Sequence, residues 1–500
     1  MDTTTGETSE RRLHPWSWLF VLVQQLKQFI VPLAALLVFG SRGAGGGFWG
    51  SIGPLIAVGV LVAVSLLQYF TYRYRIGRDG LSIRDGWLHR NLREIPYSRI
   101  HNVVLHQSLL HRLFGVAEVR LESAGGQKPE AQMRVLRLDQ ALALESLVKH
   151  RGQMPDAVAQ AGTDDTLLSL STAEVVRLGL VSNRGMIVMA AAFGGAWQLF
   201  PDRVVANLFE HYGRQLSGYA SHFQLGWITT VLAVLCMVVL ALLLLRVLSV
   251  LLALVQYYGF RLSEEQRRLT VQRGLLAKLR TSVARRRIQA WTLHEGLLHR
   301  LLKRRSLHID TAVAEKHDQT GAGALKELAP IATAEACDGL IQRLLPQAHW
   351  PRVQWTALPA NAWWRLFLPG AIVVVVLAGA LLLNSDKAWG LLPLLWLPWG
   401  AYASRQNVQR SGYAVDDRLV AIRGGWWSRY WRFAEIDKLQ ALRLTRSPLD
   451  RLCGTASLWL DTAGANALAP PLRIRFLPEA EALALYTQFG HALAQRRLRW

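Results

Sequence analysis

Cysteine is scarce. The 500 residues hold three, Cys236, Cys337 and Cys453, each alone and none in a CxxC spacing. That excludes a disulfide framework and a thiolate metal site. Each reads as a small apolar filler, Cys236 within a lipid-type segment. Acidic residues are also few, 35 against 57 basic, and charged residues make up only 18% of the chain. Catalytic signatures are missing: there is no GxSxG, no paired-aspartate metal cluster and no separated Cys/His dyad. The expectation is a chain without catalytic activity or cofactor. No small-residue cleavage site follows a short apolar core near the start, which disfavours a cleaved signal. Arg11-Arg12 lacks the rest of a twin-arginine signal and reads as an inside-facing flank.

What the chain has is a unit repeated three times. Arg99-Ile100, Ser108-Leu-Leu-His-Arg-Leu113 and Ala117-Glu-Val-Arg-Leu-Glu-Ser-Ala124 return 188 residues later as Arg287-Ile288, Leu297-Leu-His-Arg-Leu301 and Ser306-Leu-His-Ile-Asp-Thr-Ala312. They return again 339 residues after the first, as Lys438-Leu439, Ser447-Pro-Leu-Asp-Arg-Leu452 and Ala456-Ser-Leu-Trp-Leu-Asp-Thr-Ala463. The alignments need no gap, and an internal repeat constrains architecture more than any single residue.

Hydrophobic residues make up 51% of the chain, with 19 Trp, many beside apolar runs. Six segments are apolar enough to span a bilayer, which takes roughly 20 residues per helix. They are Trp16–Gly40, Phe48–Phe70, Met186–Phe200, Gly226–Tyr258, Leu366–Leu383 and Trp389–Tyr402. Gln24, Gln25, Lys27 and Gln28 interrupt the first, and Arg246 the fourth. The connections within the pairs hold only Arg42, Arg203, Arg214 and Lys387 among the basic residues. Lys/Arg bias in short loops sets orientation, so the soluble modules and both termini are expected in the cytoplasm.

The expected order is a tail at 1–15, a hairpin at 16–70 and a module at 71–150. A linker with an interfacial helix follows at 151–183, then a hairpin at 184–258 and a module at 259–347. A linker at 348–362, a hairpin at 363–403 and a module at 404–500 complete the chain. Each module opens on alternating residues suited to strands, such as Tyr72-Arg-Tyr-Arg-Ile76. Gly86, Gly274 and Gly425 end an early hairpin in each copy. Each module closes on a helical pattern, as in Leu142, Leu144, Leu147 and Val148. Strands followed by one amphipathic helix fit a small sheet packed on that helix.

Ile95-Pro-Tyr-Ser-Arg-Ile100, Leu113-Phe-Gly115 and Glu122-Ser-Ala-Gly125 resemble the bacterial PH-like domain of the YdbS/YdbT-type membrane proteins. Ser447–Gly454, Asp461–Gly464, Gly179–Arg184 and Leu13-His-Pro15 carry the same resemblance, which extends over nearly the whole chain. The second copy departs most, with Lys303-Arg-Arg305 where the first has its Gly115 turn. The resemblance implies a pleckstrin-homology-like fold, a bent β-sandwich capped by its C-terminal helix, and no catalytic residues. It also implies a link to envelope stress or antimicrobial-peptide tolerance, often beside a smaller one-module companion. The fold class expected is thus an α+β membrane protein. It has six transmembrane helices in three hairpins, each followed by a cytoplasmic PH-like β-sandwich with a capping helix.

His294, Glu295 and His299 superficially suggest a zinc pair, but histidines facing one metal on a helix stand at i and i+4, and these are five apart. His101, His106 and His111 also step by five and read as a repeated loop. Gly43–Gly50 lacks the Lys and Ser/Thr of a phosphate-binding loop. The strongest binding candidates are Arg280, Arg285, Arg286, Arg287, Arg300, Lys303, Arg304 and Arg305. Together they would attract anionic headgroups at roughly 1 kcal/mol per residue; the competing reading is an ordinary positive-inside flank. Lys27 and Arg246 either snorkel to the interface or form a polar path or interhelical pair, with Gln24, Gln25 and Gln28 as neighbours.

The net charge of +22 invites a nucleic-acid reading, but the charge lies beside spans and no aromatic-and-basic platform accompanies it. The leading expectation is a scaffold at the inner bacterial membrane. Its partners would be membrane lipids, a smaller single-module PH-like membrane protein or further copies of itself, with no nucleic acid. The alternative is a transporter or export factor with a polar path through the six helices.

Overall fold

A computed structural model describes residues 11–23, 25–26, 29, 48–77, 79–86, 90–123, 130–149, 165–199, 207, 210, 227–265, 267–311, 325–384, 388–464 and 469–495. Its strands fall into three sets of seven. The first set is β1 (Arg11–Arg12), β2 (Arg73–Ile76), β3 (Gly80–Asp85), β4 (Asn91–Pro96), β5 (Ile100–Gln107), β6 (Val116–Ser123) and β7 (Ala131–Arg137). The second is β8 (Asp165–Ser169), β9 (Arg261–Glu265), β10 (Arg268–Arg273), β11 (Lys278–Ala284), β12 (Ile288–Glu295), β13 (Arg304–Thr311) and β14 (Glu327–Thr333). The third is β15 (Thr356–Ala357), β16 (Gly412–Val415), β17 (Leu419–Gly424), β18 (Arg429–Glu435), β19 (Leu439–Thr445), β20 (Thr455–Thr462) and β21 (Arg473–Pro478).

Each set begins before its apolar helices. β1 pairs with β2, β8 with β9 and β15 with β16, all antiparallel. Residues 165–169 and 356–357, expected as linker, are therefore the first strand of the module that follows. So short a strand carries too little alternation to be read locally, and only its pairing defines it.

The helices are α1 (Phe48–Thr71), α2 (Leu109–Leu113), α3 (Leu138–Lys149), α4 (Thr172–Val181), α5 (Arg184–Leu199) and α6 (Trp227–Tyr257). They continue as α7 (Leu297–Leu301), α8 (Ala334–Leu344), α9 (Trp363–Asn384), α10 (Trp396–Arg410), α11 (Pro448–Leu452) and α12 (Glu479–Ala494). Two stretches are long and apolar enough to cross a membrane, Val231–Tyr257 and Ala360–Leu383, with α4 and α5 qualifying only as one span bent by 54°. The first is almost wholly uncovered along Val231–Leu244, which is what a lipid-facing helix exposes. Most of the expected first span, Trp16–Gly40, lies outside the described residues, as do Lys27 and most of 201–225. The expected sixth span is divided between a 3-10 stretch, Ala388–Leu395, and α10. Pro393, which lacks an N–H, lies in that stretch. The six-span expectation thus stands at two spans, or three with the bent pair, among the described residues.

The seven strands of a set form a four-strand half-sheet and a three-strand half-sheet, with the closing helix against the second. The core of the first module joins Tyr74, Leu81, Ile83 and Ile95 to Val103, Leu105, Val119, Met133 and the helix residues Ala141, Leu144 and Val148. This is the bent sandwich with its capping helix. Gly86, Gly274 and Gly425 take φ of 98°, 113° and 84°. At Gly274 and Gly425 a Cβ would fall 1.9 Å and 1.8 Å from a carbonyl oxygen. Only glycine reaches such a turn without a clash.

The modules are not separate beads. β5 pairs with β11, and β12 pairs with β18, so half-sheets of neighbouring modules merge into two seven-stranded sheets. Their orders are β7-β6-β5-β11-β10-β9-β8 and β14-β13-β12-β18-β17-β16-β15. A four-stranded sheet, β1-β2-β3-β4, and a three-stranded sheet, β19-β20-β21, are left at the two ends. The cores follow the sheets. The second module's core takes Leu419, Ala421 and Phe433 from the third, and the third module's core takes Ala290 from the second.

Candidate interaction surfaces

The eight basic residues expected to gather into one patch mostly serve intramolecular contacts. Arg280 reaches the buried Glu145 of α3 at 3.2 Å. Arg285 pairs with Glu264 at 3.6 Å and donates to the Leu344 carbonyl. Arg304 forks onto Glu174 of α4 at 2.8 and 2.9 Å, and this pairing holds the Glu174 carboxyl below its usual range. Arg305 bridges Glu295 at 3.1 Å and Asp338 at 2.9 Å. Arg300 donates to the Trp427 carbonyl at 2.9 Å, and the Arg286 carbonyl accepts from Lys438 at 2.7 Å, both across to the third module. Arg287 and Lys303 flank this set, Arg287 in the 3-10 turn 285–287 and Lys303 with φ of 53°. Arg280, Arg285, Arg304 and Arg305 thus each stand in an ion pair that ties two elements together.

Arg246 is a helix fastener too. It sits 11 residues before the end of α6, about 17 Å along the axis at 1.5 Å per residue. Its guanidinium donates to the Leu180 and Ser182 carbonyls at 3.1 and 3.2 Å, where α4 breaks into α5. A helix end leaves carbonyls without partners, and Arg246 supplies two. The contact is interhelical, but Gln25 does not join it. Gln25 instead accepts from Ser65 of α1 at 2.8 Å, and Gln24, Gln28 and Lys27 lie outside the described residues.

Each module is tied to its own apolar helices. In the first, Phe20 packs on His111 of α2, with ring centres 4.2 Å apart. In the second, Glu327 of β14 accepts from Tyr257 of α6, and Arg184 and Arg273 lie on the Tyr257 ring at 4.5 and 4.8 Å. Burial opposes the charge on Glu327, yet His308, Arg273 and Arg184 hold its carboxyl below the usual range. In the third, the buried Arg365 of α9 binds Asp450 of α11 and donates to Thr455 at 2.8 Å. Burial works against the Asp450 charge too, but Ser447, Arg365 and Thr455 outweigh it and bring the carboxyl to about 2.

No group of three or more metal-ligating side chains stands among the described residues. His294 and His299 meet edge to face at 5.7 Å, and His294 shares a 2.6 Å hydrogen bond with Ser428. Of the cysteines, Cys337 is the buried filler expected, its thiol pushed up to about 12 by burial. Cys453, expected as another filler, is exposed at the end of α11.

One basic surface escaped the sequence reading. On the outer face of the first four-stranded sheet, Arg73, Arg75, Arg84 and Arg90 line an open cleft of about 450 Å³ with Ser82, Leu92 and Glu94. Register makes this face, since Arg73 stands opposite Arg84 and Arg75 opposite Ser82. The alternation Arg73-x-Arg75 was visible in the sequence, but its neighbours on β3 were not. In the second module the counterparts of Arg75, Ser82 and Glu94 are Ser263, Thr270 and Ser282, all buried. In the first module the same face stays open among the described residues.

The chain matches the Bacterial PH domain three times, over residues 21–152, 220–345 and 356–493. It is similar to the UPF0699 transmembrane protein YdbT of Bacillus subtilis (strain 168), 22% identical over 406 residues covering 78% of this chain and 79% of that protein. No solved structure matches. The three matches take in well over half of the chain, the first two covering six strands each, β2–β7 and β9–β14, and the third all seven of β15–β21, and the protein therefore belongs to the bacterial PH domain family.

Proposed function

We propose that this membrane protein is a scaffold, binding rather than catalytic, that holds its three PH-like modules on the cytoplasmic face of the bacterial membrane. One observation carries the reading. The modules are fused through continuous sheets into a single array, and the array ends in an open strand edge and an open arginine-lined face. A surface with several guanidiniums favours an anionic ligand, either an acidic partner or an anionic headgroup. Envelope stress or antimicrobial-peptide tolerance would be the setting in which such a scaffold acts. Transport draws no support from Arg246, whose guanidinium is occupied by helix carbonyls.

The test is capture from membrane extract by the full-length protein in neutral and anionic nanodiscs, with quantitative mass spectrometry of bound protein and lipid. An Arg84→Glu/Arg90→Glu variant should lose an anionic lipid or an acidic protein that the wild type retains. Equal and empty captures by both would sink the scaffold reading.

A further inference from the structure

The two end sheets are the two halves of one sheet. Each internal junction joins a three-strand half to a four-strand half to give seven. The N-terminal end has four strands with β4 at its edge, and the C-terminal end has three with β19 at its edge. β4 is the counterpart of β11 and β18, which are both paired by the preceding module, and β19 is the counterpart of β5 and β12, both paired by the following one. Among the described residues, no strand covers the open side of either. We infer that β19 of one copy of this chain pairs with β4 of a second copy, head to tail, repeating the internal junction between molecules.

The two internal junctions share one register. Leu105 faces Arg280 as Leu293 faces Trp431, and Asn102 faces Val283 as Ala290 faces Ala434. Offsets of 188 and 339 residues carry this register to the ends, where Leu444 faces Leu92, Arg443 faces Arg93 and Ala441 faces Ile95. Of these, Leu92, Arg93, Ala441 and Arg443 are exposed, whereas Ile95 is buried in the first module's core. Leu92 is 68% exposed and Tyr486 of α12 37%, whereas Ile341 and Glu145, the counterparts of Tyr486 on α8 and α3, are 0% and 2% exposed. Leu442 and Leu444, counterparts of the buried Trp291 and Leu293, are only partly covered. The third module's core is therefore open on the side where the second module's core is closed by Phe433 and Ala421 of its successor.

The charge pattern is repeated as well. At the junction of the second and third modules, Arg432 of β18 binds Asp310 of β13 in a buried pair. The counterpart of Arg432 on β4 is Arg93, and the counterpart of Asp310 on β20 is Asp461, both exposed. Head-to-tail pairing brings these two together. Arg443 stands where the internal junction has Thr292, the residue that accepts from Arg432, so it sets a second guanidinium against Arg93 and weakens the contact. Such a contact is heterologous, and it closes into a ring or runs on as a filament. It leaves Arg73 accessible, because the counterpart Arg261 is exposed inside the array.

The inference rests on the scaffold reading and names one occupant for its open edges. Its test is disulfide trapping of the full-length protein in nanodiscs and in native membranes, in a Cys236→Ala/Cys453→Ser background. Leu92→Cys with Leu444→Cys in one chain should give a ladder of cross-linked multimers. Mixed single variants should give dimers only, and either single variant alone should give none. Arg93→Asp or Asp461→Arg should each lower cross-linking by more than about a hundredfold, as the loss of one partner of a buried ion pair does. The two together should restore it, which separates a broken contact from a misfolded chain. Arg443→Thr should raise it. A Leu92→Cys chain that cross-links to itself, trapping of a different protein at these edges, or monomers throughout would each overturn the inference. Trapping of a different protein would leave the scaffold reading standing, and monomers with empty captures would remove both.

Discussion

Arg432 and Asp310 belong to different modules and to strands that do not touch, yet their side chains meet at 2.5 Å beneath β12. Arg432 is 2% exposed and Asp310 8%. Burial disfavours the guanidinium charge, and the neighbouring carboxylate is what makes it tolerable. A buried charge without its partner is costly, so Arg432→Ala should destabilise the junction of the second and third modules by about 3–5 kcal/mol. Replacing both, as Arg432→Met with Asp310→Leu, should recover most of that loss. Hydrogen exchange of the β12 and β18 amides is the readout, and equal protection in wild type and Arg432→Ala would refute the assignment.

Glu118 of β6 gives a pH signature to the first module. Burial raises its carboxyl, but His106, Arg120 and Gln132 outweigh that and hold it at about 2, against 4.5 ordinarily. A depressed folded value stabilises the fold above the ordinary value and loses that stabilisation as pH falls toward 2. The contribution at neutral pH is on the order of 3 kcal/mol. Glu118→Gln should flatten the pH dependence of first-module unfolding between about 4.5 and 2, measured by exchange mass spectrometry at matched intrinsic rates.

His299 acts in a higher window. Burial, with His294 and His308 nearby, lowers it to about 4 from 6.5. The folded state holds the ring neutral, so stability is complete above 6.5 and falls as pH drops from there toward 4. Nuclear magnetic resonance titration of the His299 ring should show no protonation at pH 6, and a midpoint near 6.5 would contradict the burial argument.

Two glycines of positive φ should respond unequally to alanine. At Gly425 a Cβ meets the Ser428 carbonyl oxygen at 1.8 Å, whereas at Gly259 nothing lies within 4 Å. Gly259→Ala should cost only the left-handed backbone term, about 1–2 kcal/mol. Gly425→Ala should cost more, because the β17–β18 turn must open as well. Thermal unfolding of both variants in one detergent settles the order.

The repeat, the longest apolar helices, the alternating strands and the three turn glycines were legible in the sequence, because each is written in residues near one another. Gly86, Gly274 and Gly425 announce positive φ by their spacing, and Gly226–Tyr258 announces α6 by its length alone. The basic cluster was legible as a list but not as a surface, since Glu145, Glu174, Glu264 and Asp338 arrive at Arg280, Arg304, Arg285 and Arg305 from elsewhere in the chain. Strand sharing was hidden altogether. A backbone edge offers the same N–H and C=O groups whatever its side chains, so no local pattern tells β5 that its partner is β11. The sequence by itself determined three PH-like units, each with apolar helices. Only the tertiary structure decided that their half-sheets fuse, and that β4 and β19 are the edges left open, because pairing between distant strands is settled by register and by the cores that register closes.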